Sequence, residues 1–288
     1  KIATYADPNR ALVYHGVARD ALLHDGEVAQ WDPYLCGGVP LLGNPEATHV
    51  NPFFLLVLPF GEDLGLRVSV TISLALGFLG TALLARRALG IGLLPMLLAG
   101  TVFAFSGFLS WWFSGGAYAL FTMAWMPWLF FGFWESLRRI VWIPITAILL
   151  ALLFLGGWPQ TFVYAMIAAG ILTIWLALFF RHPRPISTLA MVTLLVVPLT
   201  AIKLLPVAEV QALSASFERA PVRVLPLTFA PKMFLARDQY ERPEWAFGEE
   251  DGKPFDWREY ETYTGILPVV SALIGALVTL RRRLSAAL

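Results

Sequence analysis

RRIVWIPITAILLALLFLGGWPQTFVYAMIAAGILTIWLALFFRHPR, residues 138–184, decides the class of fold. Between Arg139 and Arg181 no side chain carries a charge. Two apolar runs, near 140–156 and 161–180, approach the roughly 20 helical residues that a hydrocarbon core demands. Gly156-Gly157-Trp158-Pro159-Gln160 separates them and reads as a turn. Arginines stand at both outer ends and none at the turn, so the positive-inside rule puts the two ends in the cytoplasm and the turn outside.

The same pattern extends over the rest of the chain. Further apolar runs lie near 66–85, 93–113, 117–134, 186–204 and 264–280, which makes seven in all. Arg86 and Arg87 follow the first, Arg138 and Arg139 the third, Arg181 and Arg184 the fifth, and Arg281 to Arg283 the last. These ends alternate, as a membrane topology demands. Residues 1–63, the turns at Ser114–Gly116 and Gly156–Gln160, and the segment 205–263 then lie outside. Of the 20 acidic residues, Glu135 alone falls on the cytoplasmic side, a segregation that a wrong span count would scramble.

Composition agrees. The chain is 58% apolar and 14% charged, with mean hydropathy +0.67, whereas soluble domains are about 25% charged. Eleven Trp and 21 Phe suit lipid and its interfaces. The one cysteine, Cys36, rules out an internal disulfide and a cysteine-based metal cluster. The basic clusters are topology signals without a broad basic face, which argues against nucleic-acid binding. Lys1 opens into polar sequence with neither an initiator Met nor a signal peptide, so a span is expected to precede it.

The expected fold is therefore all-α: a polytopic transmembrane helix bundle of about seven spans with two extracytoplasmic loop regions. Its parts are 1–63, a first outer loop with an interfacial helix; 64–204, six spans; 205–263, a second, Pro-punctuated outer loop; and 264–288, the last span with its basic cytoplasmic end.

Reactive side chains concentrate in Tyr5–Pro52, which holds eleven Asp, Glu, Arg and His residues. Asp7-Pro8 predicts a helix start, with Asp as cap and Pro at the first position. Leu12, Val13, Val17, Ala21 and Leu22 form a partial apolar stripe that ends near Gly26 and suits the membrane surface. Trp31-Asp32-Pro33-Tyr34 reads either as a sugar-stacking platform with a carboxylate or as an interfacial Trp beside an Asp-initiated turn. Gly37-Gly38 reads as a tight turn. His15, His24 and His49 are candidate ligands or acid–base groups, although no metal-ligand spacing links them. Arg10 shares a helix face with Asp7. Lys203, near the outer end of its run, reads as snorkelling to the interface or as a phosphate partner.

In order along the chain, Tyr5-x-Asp7, Gly26-Glu27, Trp31-Asp32-Pro33, Gly37-Gly38-x-Pro40 and Asn51-Pro52 resemble the first outer loop of YfhO-like bacterial membrane proteins. Phe105-Ser106-Gly107, Ala124-Trp125-Met126-Pro127-Trp128, Gly157-Trp158-Pro159-Gln160 and Glu261-x-Tyr263-x-Gly265 continue the resemblance. Each motif is short. Trp158 departs from the family pattern, where His is expected.

The resemblance implies a GT-C type glycosyltransferase of the bacterial cytoplasmic membrane, taking sugar from a polyprenyl-phosphate donor to an extracytoplasmic cell-envelope acceptor. It implies Asp7 as catalytic base. His15, Trp31, Asp32, His49, Trp158, Gln160, Glu261 and Tyr263 become candidate substrate contacts. Arg10, Arg219, Arg223 and Arg237 are candidates for the donor's phosphate, for which bidentate contacts suit arginine. No pattern requires a cofactor, and a divalent cation stays open. The alternatives are a flippase or transporter for lipid-linked sugar, or a non-catalytic envelope-assembly protein. Ion-coupled transport favours ionisable groups at mid-span, and the middles of all seven runs hold none.

Overall fold

The computed structural model describes residues 6–35, 37–107, 109 and 122–213, with the backbone alone at 6–10. Cys36, the Ser114–Gly116 turn, the greater part of 205–263 and the 264–280 run lie outside the described residues. Apart from a short piece at 105–109, everything described belongs to one compact unit.

Helix α1 covers Ala6–Asp20, so Asp7 and Pro8 occupy its first described turn. A single π-turn, Ala21–Asp25, extends it. Gly26, at φ 72°, then closes it by donating its N–H to the Ala21 carbonyl. The stop at Gly26 is where the sequence puts it. The buried face is not. Tyr14, His15 and Ala18 lie at its centre, while Leu12, Val17, Ala21 and Leu22 flank it half-buried. The reason is the partner: α1 packs against the following loop and helix, in a core with Leu41, Ala47, Phe54, Val57 and Leu66.

A two-stranded antiparallel hairpin follows, β1 Trp31–Asp32 and β2 Val39–Pro40, with Trp31 opposite Pro40 and Asp32 opposite Val39. The Asp32 carboxylate accepts the Tyr34 N–H at 2.9 Å, an Asx-turn that opens the hairpin loop. The Gly38 N–H donates to the Leu35 carbonyl at 2.8 Å. At Gly38, φ is 116° and a Cβ would sit 2.5 Å from the Trp31 ring, so this turn depends on glycine.

The Asn51 side chain accepts the Phe53 N–H at 3.0 Å and its carbonyl accepts the Phe54 N–H at 2.9 Å, which starts α2, Phe54–Leu89. Pro59 and then Gly61, at φ 75° and ψ 172°, break α2 into a short first piece and a long second one. The pieces fold closely together: a Cβ on Gly65 would lie 2.6 Å from Val57 Cα. Along the long piece, Ser69, Ser73, Gly77 and Gly80 make a buried stripe of small residues. Gly77 takes the ring of Phe103 from α3 (Leu93–Ala104), and Gly80 takes that of Trp128 from α4 (Trp125–Ser136). Trp128 also donates its Nε1–H to the Leu76 carbonyl at 2.9 Å. Small residues that let backbones approach are the usual basis of helix packing in lipid.

Helices α5 (Trp142–Leu155), α6 (Pro159–Phe180) and α7 (Arg184–Leu213) complete the described bundle. Leu129, Ile143, Ala147, Leu150, Leu153, Ala165, Val192 and Val196 form their common core. The outward faces are apolar too: Ile171, Ile174 and Leu178 on α6, and Leu194 and Leu205 on α7, stand exposed. Buried Ser and Thr inside and exposed Leu and Ile outside are what lipid selects, and the reverse of a soluble fold.

The described protein is thus mostly helical, and three helices, α2, α6 and α7, are long and apolar enough to cross a membrane. The 93–113 and 117–134 runs are described only in part, as α3 and α4. Helix α5 has 14 residues, about 21 Å at 1.5 Å per residue, because the Gly156 turn ends it. Helix α7 outlasts its apolar run, passing Pro198 and Pro206 to reach Leu213. The first residues of the expected loop 205–263 are therefore helical.

Candidate functional site

Helices α5 and α7 and the α5–α6 turn meet the residue 43–53 loop at the end of the bundle remote from the arginines. Gly43 meets α7, where a Cβ would come within 2.5 Å of Val210 and 3.1 Å of the Pro206 carbonyl. Asn51 donates its side-chain N–H to the Leu152 carbonyl of α5 at 3.4 Å. Gly157, at φ 80°, lies against Thr48 and the Glu46 carbonyl, where a Cβ would come within 2.4 and 2.6 Å. Lys203, 2% exposed, donates its Nζ–H to the Ala47 carbonyl. The result is a polar cap seated on one end of an apolar bundle.

Helix α1 is pinned to this cap by a buried histidine. His15 Nδ1 lies 2.7 Å from the Ala11 carbonyl and Nε2 lies 2.8 Å from Thr48 Oγ1. A carbonyl only accepts, so Nδ1 carries the proton and Thr48 donates its hydroxyl to Nε2. Burial pushes the His15 pKa down and keeps this neutral tautomer. The ring also tilts against Phe54, at 6.0 Å between centroids. His49 packs edge-on against the same Phe54 at 6.4 Å.

His49 is 7% exposed, and among the described residues neither ring nitrogen makes a hydrogen bond of good geometry. Its pKa is pushed down to about 4, first by burial, then by the Lys203 charge and by His15, with the Ala29 backbone opposing weakly. Folding therefore holds the ring neutral well below its ordinary range. Its stabilising contribution is intact above about pH 6.5 and disappears as pH falls towards 4, at a cost of about 2 kcal/mol between pH 7 and pH 5. Thermal unfolding in detergent at those two pH values measures this, and His49→Phe should reduce the difference, leaving the part that His15 contributes. Equal pH sensitivity in both proteins would refute the assignment.

Lys203 corrects the expectation that it snorkels. Its head is enclosed, with a backbone carbonyl as its partner. Because α7 extends to Leu213, Lys203 lies ten residues inside the helix and not at its end. A cation in such a helix was a legible signal. Thr48 and Gly157 gave none, since their contacts are made by residues far away in sequence.

The other predicted residues distribute unevenly. Asp32 is fully buried in the hairpin, one carboxylate oxygen bound to the Tyr34 N–H and the other without a hydrogen-bond partner among the described residues. The turn reading of Asp32 is thus the geometry observed. Trp31 is 54% exposed and covers Gly38. Trp158 is half-buried at the start of α6, beside Gly157, and Gln160 is exposed one residue into that helix. His24 is exposed near Asp20, 3.9 Å from its carboxylate. The backbone of Asp7 and Arg10 lies on α1, and their side chains lie outside the described residues, as do Arg219, Arg223, Arg237, Glu261 and Tyr263 altogether. Among the described residues no three His, Cys, Asp or Glu groups cluster closely enough to hold a metal.

The arrangement brings His15, His49, Thr48 and Lys203 together beneath the cap, where they fix its shape. Compared with known proteins, the chain matches no family model, no curated protein and no solved structure.

Proposed function

We propose that the chain is part of a YfhO-like, GT-C type glycosyltransferase of the bacterial cytoplasmic membrane. It moves a sugar from a polyprenyl-phosphate donor to a cell-envelope acceptor on the outer face. The observation that supports this reading is the cap. An acidic, histidine-bearing loop would be solvated and loose if it only joined spans. Here it is built onto two helices and the turn between α5 and α6, through Lys203–Ala47, Asn51–Leu152 and Gly157 against Thr48, and it fastens α1, the helix that carries Asp7.

In this reading the Asp7 carboxylate takes the proton of the acceptor hydroxyl as its oxygen attacks the sugar C1 from the face opposite the leaving group. The C1–O bond to the lipid phosphate breaks, and the phosphate leaves with the electron pair. Arg10, Arg219, Arg223 and Arg237 are the cations available to take up that charge. Trp31, with its exposed ring, is the sugar-stacking candidate. The bundle has seven spans, with the cap outside and the arginine ends in the cytoplasm.

Lys203 favours a second reading, a flippase for lipid-linked sugar, because a buried cation within a spanning-length helix is a common mark of a transport path. One experiment separates the two. Full-length protein in vesicles is given a panel of polyprenyl-phosphate sugars and a cell-envelope acceptor fraction. Glycosyl transfer is expected to release the polyprenyl phosphate and label the acceptor. Movement of intact donor between leaflets without release would replace the first reading by the second, and neither event with any donor would dispose of both.

A further inference from the structure

At the end of the bundle opposite the cap, the ends of α4, α6 and α7 line an open cleft of about 350 Å³ between Trp134, Leu137, Arg138, Phe180, His182 and Arg184. We propose that this cavity binds the headgroup of an anionic phospholipid of the surrounding leaflet. The inference is independent of the glycosyltransferase reading.

Charge is the first argument. Arg86, Arg87, Arg138, Arg139, Arg181 and Arg184 all belong to this end of the described helices, and Glu135 is the one acid among them. Glu135 is already committed: Arg87 Nε donates to its Oε1 at 2.6 Å. Among the described residues no acid lines the cavity, and Arg138 and Arg184 form no ion pair there; Glu135 acts on Arg138 only through space, being hydrogen-bonded to Arg87. The Arg138 guanidinium lies 5.5 Å over the Trp134 ring, a contact that leaves its N–H groups for another acceptor. His182 accepts the Arg184 backbone N–H on Nδ1 at 3.0 Å, so the neutral ring keeps its own N–H on Nε2 as a further donor. Guanidinium groups with an added N–H donor match a phosphodiester.

The walls choose between a lipid and a free anion. Leu137 and the 59%-exposed Phe180 border the charged groups. Phe180 ends α6 and faces the cavity, while Ile167, Ile171, Ile174 and Leu178 stand exposed on another face of that helix, so Phe180, Leu137 and Trp134 are the apolar surface at the cavity itself. A phosphodiester with acyl chains satisfies the arginines and covers this apolar surface at once, whereas inorganic phosphate would cover none of it. Basic pockets between membrane helices at the cytoplasmic side are suited to such headgroups, each arginine adding attraction towards an anionic surface.

The test uses the full chain in mixed micelles with equal phosphatidylglycerol and phosphatidylcholine, reading retained lipid by native mass spectrometry. The wild type should retain phosphatidylglycerol roughly tenfold over phosphatidylcholine, after salt screening of two arginines. Arg138→Gln with Arg184→Gln should bring the ratio close to one. Arg139→Gln with Arg181→Gln removes the same charge from the same end but not from the cavity lining, and should keep most of the preference. Three results would overturn the proposal: no anionic preference in the wild type, equal loss in both double variants, or complete displacement of lipid by inorganic phosphate. If the first double variant fails to insert, the wild-type ratio and the phosphate competition still decide.

Discussion

Asp7→Asn is expected to lower sugar transfer by about 10²- to 10⁴-fold, the usual worth of a positioned general base, with insertion and thermal unfolding unchanged. Asparagine has nearly the same volume and serves a helix start as well as aspartate does. It cannot hold a proton taken from the acceptor. The fold gives reason to expect the two effects to separate. Helix α1 is fastened by Tyr14, His15 and Ala18, and the nearest of these is seven residues from Asp7, about 10 Å along the helix. Losing one carboxylate in the first described turn forfeits at most about 1 kcal/mol of interaction with the helix dipole. Transfer rates with wild-type and variant protein, normalised to folded protein, make the comparison. Full turnover in the variant would remove Asp7 from the chemistry, and a parallel fall in unfolding temperature would make it a structural cap.

Gly157→Ala should destabilise the protein by about 3 kcal/mol, combining a left-handed backbone disliked by alanine with a Cβ driven into an occupied site. The second contribution has no easy relief. One contact is Thr48 Cγ2 at 2.4 Å, which Thr48→Ser would remove. The other is the Glu46 carbonyl at 2.6 Å, which is backbone and stays. The double variant Gly157→Ala with Thr48→Ser should accordingly recover only part of the loss. Gly170→Ala inside the following helix α6 is the control, because among the described residues nothing lies within 4 Å of a Cβ there and alanine favours helix. Thermal unfolding of the three variants in detergent gives the ranking. A Gly157→Ala protein as stable as the wild type would mean that the loop does not dock on the α5–α6 turn.

These two residues show where sequence is legible and where it is not. Membrane character can be read from 140–180 alone, since an uncharged stretch of that length has few other fates. The stop at Gly26 is legible because a left-handed glycine acts locally. The buried face of α1 is not. A polar ring such as His15 looks like a surface residue until Thr48, 33 positions away, supplies its partner. The end of α7 is not legible, because the apolar run stops near residue 204 while the helix continues to Leu213; apolarity marks where lipid is favoured, not where backbone hydrogen bonding ceases. The hairpin at Trp31–Pro40 is two residues a side, too short for any alternation to show. The cap escaped entirely, because its contacts are glycines against backbone and a lysine on a carbonyl, with no sequence period behind them.

The Lys203–Ala47 bond also sets an order of events during synthesis. Its partners lie 156 residues apart, and a ribosome adding about 5–20 residues per second makes Ala47 roughly 10–30 s before Lys203. Until α7 arrives, the first loop has been made but lacks the ammonium that later closes over it. A nascent chain cut short before α7 should leave that loop open to protease, and completion of α7 should shut it.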